Sequence, residues 1–204
     1  FFYWVYRLRK SETAVKASET KLQLILDTEP ECVKVINAEG CLVQMNPAGL
    51  KMIDVDDATQ VIGQKVEELV IEEHRVAFNQ MNERVLRGEA CTLEFQIKGL
   101  AGNILWVDTH AVPLIDESSH TVSILAVTRD ITEHKKTEDE RKVASMVYQN
   151  SSEGMLVTDD KNQIIAINPA FSKITGFSFA EVEGKNPMIL KSGFQDKSFY
   201  KQMW

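Results

Sequence analysis

Residues 31–52 recur at residues 153–174 without a gap. Six of these 22 aligned positions are identical: Glu31/Glu153, Val35/Val157, Asn46/Asn168, Pro47/Pro169, Ala48/Ala170 and Lys51/Lys173. Apolar character is kept at Val43/Ile165, Met45/Ile167 and Met52/Ile174. A shift of one residue then sets Gly63-Gln64-Lys65 against Gly184-Lys185-Asn186. A repeat this long is a domain used twice, not the short unit of a solenoid.

Each copy opens in the same way. Cys32–Ile36 and Cys41–Met45 are short apolar strands, and Asn37-Ala38-Glu39-Gly40 between them predicts a β-hairpin. In the second copy Met155–Thr158 and Gln163–Ile167 are the strands, joined through Asp159-Asp160-Lys161-Asn162. Asn-Pro-Ala follows in both. An asparagine side chain can accept from the free N–H groups of a first helical turn, and proline suits the first helical position. Asn46 with Pro47, and Asn168 with Pro169, are therefore read as helix caps. The helices they open carry Leu50, Met52 and Ile53 in one copy, and Phe171 and Ile174 in the other.

The first copy continues. Val66–Leu86 is expected to be mostly helical, with Val76, Met81, Val85 and Leu86 as its apolar positions and Arg87-Gly88 as its end. Cys91, Leu93, Phe95 and Ile97 then alternate with Thr92, Glu94, Gln96 and Lys98, the period of a half-buried strand. Ile104–Leu114 and Thr121–Thr128 are two more strands, with a turn at Asp116–His120. Two strands, helices, then three strands predict an α+β domain, a five-stranded antiparallel sheet with helices on one face. From Asn168 only 36 residues remain, so the second copy is expected to be a truncated, N-terminal half.

Two helical segments flank the first copy. Phe1–Tyr6 are apolar or aromatic and Arg7, Arg9 and Lys10 follow, a pattern of the cytoplasmic end of a membrane helix. Residues 1–6 are read as the stub of such a helix, and a buried aromatic cluster is the other reading. Residues 7–26 lack Gly and Pro, and Phe1, Leu8, Val15 and Leu22 recur every seven residues, with Trp4, Ser11, Ser18 and Ile25 three later. That spacing suits a parallel dimer seam, which the two serines weaken, or a helix packed on its own domain. Residues 132–150 read as a linker helix, with Lys135/Asp139, Lys136/Glu140 and Glu138/Lys142 as supporting pairs and Val143, Met146 and Val147 as an apolar stripe. The division is thus stub 1–6, helix 7–26, first domain 22–132, linker 132–150 and second domain 143–204.

Composition excludes several functions. Apolar residues are 44% and charged residues 26%, which fits a globular chain. The net charge of −7 is a poor match to nucleic acid, so no nucleic-acid partner is expected. Cys32, Cys41 and Cys91 are odd in number and form no C-x-x-C pair, as free thiols in a reducing cytosol would. No Gly-x-Ser-x-Gly turn, Walker loop or Gly-x-Gly-x-x-Gly is present. His74, His110, His120 and His134 form no metal-ligand pattern. No catalytic or metal residue is assigned, and this segment is not expected to be an enzyme.

Taken together, Asn46-Pro47-Ala48, Gly63, Glu73-His74-Arg75 and the string Val127-Thr128-Arg129-Asp130-Ile131-Thr132 resemble the PAS domain. So do Asn168-Pro169-Ala170-Phe171, Ile174-Thr175-Gly176-Phe177 and Gly184-Lys185-Asn186-Pro187 in the second copy. The resemblance implies a PAS fold over about residues 22–204 and a sensory or relay function. It implies that Asp130, Ile131 and Thr132 form the motif passing a signal to an output helix. The tail Ile189–Gly193 and Phe199–Trp204 is similar to PAS domains ahead of bacterial cyclic-di-GMP (GGDEF/EAL) enzymes. The output is therefore expected to be cyclic-di-GMP turnover, with a sensor histidine kinase as the alternative. The implied setting is a membrane-anchored dimer, joined through its N-terminal and linker helices, on the cytoplasmic side of a bacterial inner membrane.

PAS relatives hold haem, flavin or metabolites between sheet and helices. Here Val76, Ala77 and Phe78 stand where haem members place a histidine, and Pro187 stands where light-sensing members place the adduct-forming cysteine. Haem and a flavin–cysteine adduct are not expected, and a non-covalent flavin or small metabolite stays open. Trp106, Asp108 and His110 share one face of a strand, opposite Leu105, Val107 and Thr109. With Phe78 they are the ligand-pocket candidates if that face points inward. The other reading turns Trp106 and His110 to solvent or a partner, leaving a ligand-free core that transmits motion.

Overall fold

The computed structural model describes residues 2–116 and 121–191, with side chains from Val15 onward. Two compact units divide the chain at Lys135/Lys136. The first holds α1 (Phe2–Thr28), β1 (Cys32–Ile36), β2 (Leu42–Met45), α2 (Pro47–Met52), α3 (Glu72–Leu86), β3 (Cys91–Lys98), β4 (Ile104–Asp116) and β5 (Thr121–Asp130). α4 (Thr132–Asn150) starts in this unit and leads into the second, which holds β6 (Leu156–Thr158), β7 (Ile164–Ile167), α5 (Pro169–Thr175) and α6 (Phe179–Val182).

The sheet of the first unit is antiparallel, ordered β2-β1-β5-β4-β3. The long connection from β2 through the helices to β3 lets the last strand return beside the first. The period-two pattern of β3 is realised: Cys91, Phe95 and Ile97 are buried while Thr92, Glu94 and Lys98 are exposed. They meet Phe78, Met81 and Val85 of α3, which are buried together with Val107, Ala111, Ile124 and Ala126. Phe78 and Phe95 touch at 5.3 Å between ring centres with planes 54° apart, a tilted geometry that suits their quadrupoles.

Three local expectations change. Residues 66–86 are not one helix. Val66–Leu69 form a 3₁₀ turn, and Val70 then runs extended. Val70 bridges to Ile97, and the Ile71 N–H donates to Gln96 O at 3.1 Å, so tertiary pairing with the edge of β3 interrupts the helix. Val76 is exposed, because on a 3.6-residue turn it lies away from the Phe78, Met81 and Val85 stripe. Ile174 is likewise exposed, and Phe171 fills the second core with Ile164 and Val182.

The helix of the N-terminal linker begins at Phe2, so the aromatic and basic residues lie on one continuous α1. No helix among the described residues is long and apolar enough to cross a membrane. The side chains of Phe1–Ala14, the turn at residues 117–120 and the tail from Ser192 to Trp204 lie outside the described residues. Val15, Leu22 and Ile25 of the seven-residue stripe are exposed on this chain.

Candidate functional site

The two asparagines do more than cap helices. Asn46 is 5% exposed, and its Oδ1 accepts from the Gly49 N–H at 3.0 Å and the Val33 N–H at 2.9 Å. Its Nδ2 donates to Leu26 O (3.1 Å) and Glu31 O (2.9 Å), with Glu29 O at 3.4 Å. One side chain thus ties the end of α1, the start of β1 and the first turn of α2. Asn168 repeats the pattern with Phe171 N–H, Met155 N–H, Tyr148 O and Glu153 O, each the equivalent position in the second copy. The shifted glycine motif also repeats: Gly63 N–H donates to Leu42 O, and Gly184 N–H to Ile164 O. Their φ angles of 83° and 69° require glycine for the turn.

Asp130, Ile131 and Thr132 join β5 to α4. The Asp130 carboxylate accepts from the Thr132 N–H at 2.8 Å, closing the turn that starts the helix. Ile131 N–H donates to Trp106 O at 2.9 Å, and Thr132 Oγ1 accepts from the Trp106 N–H at 2.9 Å. The ring of Trp106 is also engaged. Lys135 of α4 sits with Nζ 5.4 Å from the ring centre and pairs with Glu94 at 2.6 Å. His74, in the first turn of α3, meets the same ring edge-on at 5.4 Å between centres. Trp106 therefore contacts both the helix that covers the core and the helix that leaves the domain.

This placement corrects the pocket reading of β4. Val107, Thr109 and Ala111 point into the core, and Trp106, Asp108 and His110 lie on the opposite face. The reason is pairing: Val107 lies opposite Phe95, and Ala111 opposite Cys91 and Ala126, which already face inward. His110 is exposed, with Nδ1 3.1 Å from Thr92 Oγ1. Asp108 stands between Glu94 and Arg129 on neighbouring strands. Arg129 pairs with Glu31 at 2.6 Å, so this face carries charges of both signs. Of the four pocket candidates, Phe78 alone lines the interior.

That interior holds polar residues that were not among the pocket candidates. Cys32, Lys34, Thr128 and Thr109 form a buried polar stripe across β1, β5 and β4. Lys34 is 6% exposed, and its Nζ donates to Thr128 Oγ1 at 2.5 Å. Thr128 Oγ1 lies 2.8 Å from Thr109 Oγ1. An ammonium only donates, so Thr128 accepts from Lys34, and the second lone pair and the hydrogen of its hydroxyl both suit a bond to Thr109. Beside the stripe is a cavity of about 30 Å³, otherwise apolar, bounded by Met45, Met52, Val66, Leu69, Phe78 and Phe95 among others. Met45, Val66 and Leu69 also line a groove of about 330 Å³ that opens between the Val61–Leu69 segment and the Lys98–Leu100 turn. The signal for the stripe was the period of two in β1, which sets Lys34 with Cys32 and Ile36.

Known proteins agree with this architecture. A family profile described as PAS fold matches residues 26–136, and one described as PAS domain matches residues 152–204, a short second region. A nitrogen fixation regulatory protein of Klebsiella oxytoca is 36% identical over 58 residues, which are 28% of this chain and 12% of that protein. Its namesake from Klebsiella pneumoniae is 34% identical over the same length and the same shares. The chain thus spans about an eighth of the curated relatives it matches. Among solved structures, the PAS domain of an HTR-like protein from Haloarcula marismortui aligns with a TM-score of 0.54 at 18% identity. That alignment covers 60% of this chain and 99% of that one. A PAS domain from Colwellia psychrerythraea aligns with a TM-score of 0.50 at 21% identity over 58% of this chain and 98% of that one. At these identities the likeness is one of fold. With the Asn-Pro-Ala caps, the five-stranded sheet and the profile match over more than half its length, the chain belongs to the PAS family.

Proposed function

We propose that the chain is a sensory and signal-relay pair of PAS modules that regulates an output domain elsewhere in the same protein. The observation that carries this reading is the junction at Trp106. Its backbone holds Ile131 and Thr132, and its ring holds His74 and Lys135. A shift of α3 against the sheet therefore displaces the ring on which the first turn of α4 rests. The name of the Klebsiella relatives, regulatory proteins, supports a role in control rather than turnover. Cyclic-di-GMP turnover is our proposed output, on the likeness of the second copy's tail. Two parallel copies joined through α1 and α4 would make the bistable element, at the cytoplasmic side of a bacterial inner membrane as the aromatic-then-basic pattern of residues 1–10 suggests.

A second reading, dimerisation and relay without ligand ahead of a histidine kinase, is favoured by the small size of the interior cavity, about 30 Å³. The relay is common to both readings and is tested by Asp130→Ala. The lost bond to the Thr132 N–H is exposed, so the domain stays folded, at a cost of about 1 kcal/mol. Amide exchange at residues 132–135 rises, and the output activity of the complete protein no longer follows its input. Input–output behaviour identical to the unmodified protein rejects the relay through this junction.

A further inference from the structure

Lys34 is a charged side chain in an apolar core with no carboxylate within ion-pair reach among the described residues. Its ammonium has three hydrogens to place. Thr128 takes one, and the Cys32 sulfur, a weak acceptor, stands 3.9 Å away. An ammonium so placed lacks the counter-charge that normally accompanies burial. The fold does not demand it. The equivalent position in the second copy is Leu156, and both residues occupy the same register, Lys34 opposite Met45 and Leu156 opposite Ile167. An aliphatic side chain therefore serves this strand position, and the lysine is particular to the first copy.

Lys34 and Thr128 both line the cavity of about 30 Å³, enough room for a carboxylate-sized group where a single water needs roughly 10–15 Å³. The rest of that lining is aliphatic, aromatic or sulfur-bearing. Met45, Val66 and Leu69 form the partition between the cavity and the groove of about 330 Å³, a volume typical of small-molecule sites. Met45 is unbranched and can change rotamer to open the way. We propose that the first PAS domain binds an aliphatic monocarboxylate, its head group on Lys34 Nζ and Thr128 Oγ1 and its chain running past Met45 and Leu69 into the groove. This deepens the sensory reading by naming the ligand class. It is tested by binding alone, so its failure leaves the relay through Asp130 standing.

The probes are sodium octanoate, 1-octanol and sodium acetate, titrated calorimetrically into the 204-residue chain. Octanoate is expected to bind and to raise the melting temperature of the first domain. Octanol, with the same chain and no charge, and acetate, with the charge and no chain, are expected to bind at least about tenfold more weakly. Lys34→Leu, the residue found at the equivalent position of the second copy, should cut octanoate affinity at least about tenfold and leave octanol unchanged. If that variant does not fold, Thr128→Val removes the hydroxyl beside Nζ and should weaken octanoate alone. Equal binding of octanoate and octanol, equal binding of octanoate and acetate, no binding of octanoate, or full octanoate affinity in both variants each overturns the proposal.

Discussion

Replacing Asn46 tests the joint that both copies share. Asn46→Ala removes two accepted bonds (3.0 and 2.9 Å) and two donated ones (3.1 and 2.9 Å) at a site 5% exposed. A typical buried hydrogen bond contributes about 1 kcal/mol net, and a buried group left unmet costs about 1–3 kcal/mol. The loss includes the helix cap on α2, itself about 1 kcal/mol. Allowing water to meet some of the freed groups, we expect about 3–5 kcal/mol for the first unit. Asn46→Asp separates the parts. Its carboxylate keeps both accepted bonds but faces the Leu26 and Glu31 carbonyls, where Nδ2 donated before. About half the loss is expected, concentrated where α1 meets the sheet. Because the chain holds two units, the assay must resolve them. Hydrogen exchange read by peptide does so. In Asn46→Ala protection falls across β1 to β5, and in Asn46→Asp the largest change is in residues 22–28. A loss under about 1 kcal/mol in the alanine variant would refute the reasoning, since one cap alone accounts for that much.

Three further variants test smaller points. A Cβ on Gly49 would stand 2.5 Å from Met45 Cγ and 2.7 Å from Cys32 Sγ, so Gly49→Ala should cost about 1–3 kcal/mol by chemical denaturation. At Gly40, with open space and φ +81°, alanine meets only backbone strain and should cost about 1 kcal/mol. The Ser178 N–H and hydroxyl hold the Glu181 carboxyl below its usual range. A carboxyl depressed in the folded state stabilises above its ordinary pKa, and the benefit is lost as the pH falls through the folded value. Protection of the α6 amides, taken relative to the intrinsic exchange rate at each pH, should therefore fall in acid in the native chain, and Glu181→Gln should flatten that dependence.

Much of the domain was legible in one dimension. The repeat identified two copies, and the shared network of Asn46 and Asn168 shows that the repeated residues are repeated contacts. Both caps follow from local rules, since an asparagine followed by proline reads the same wherever a helix begins. β3 was legible because its two faces differ in polarity, Cys91, Phe95 and Ile97 against Thr92, Glu94 and Lys98. Asp130, Ile131 and Thr132 stand where β5 passes into α4, but the groups they bond to were not visible in the sequence. Trp106 is 26 residues from Thr132, and Lys135 and His74 reach the same ring from two helices.

What the sequence determined by itself was everything set by neighbours along the chain: the repeat, the capped helices, the alternation of β3 and the order of strands and helices. Tertiary structure decided the rest. β4 carries apolar groups on both faces, Trp106 on one and Val107 on the other, so its alternation cannot say which face is inside. Pairing with Phe95, Cys91 and Ala126 settles it, because strands bonded in one sheet share their pleat. The same rule turns Lys34 inward beside Thr128, although a lysine by its own solvation belongs outside. It also ends the helix before Val70, whose place is opposite Ile97 on the sheet edge. A strand's period is local, but the direction of its buried face is a property of the strands beside it.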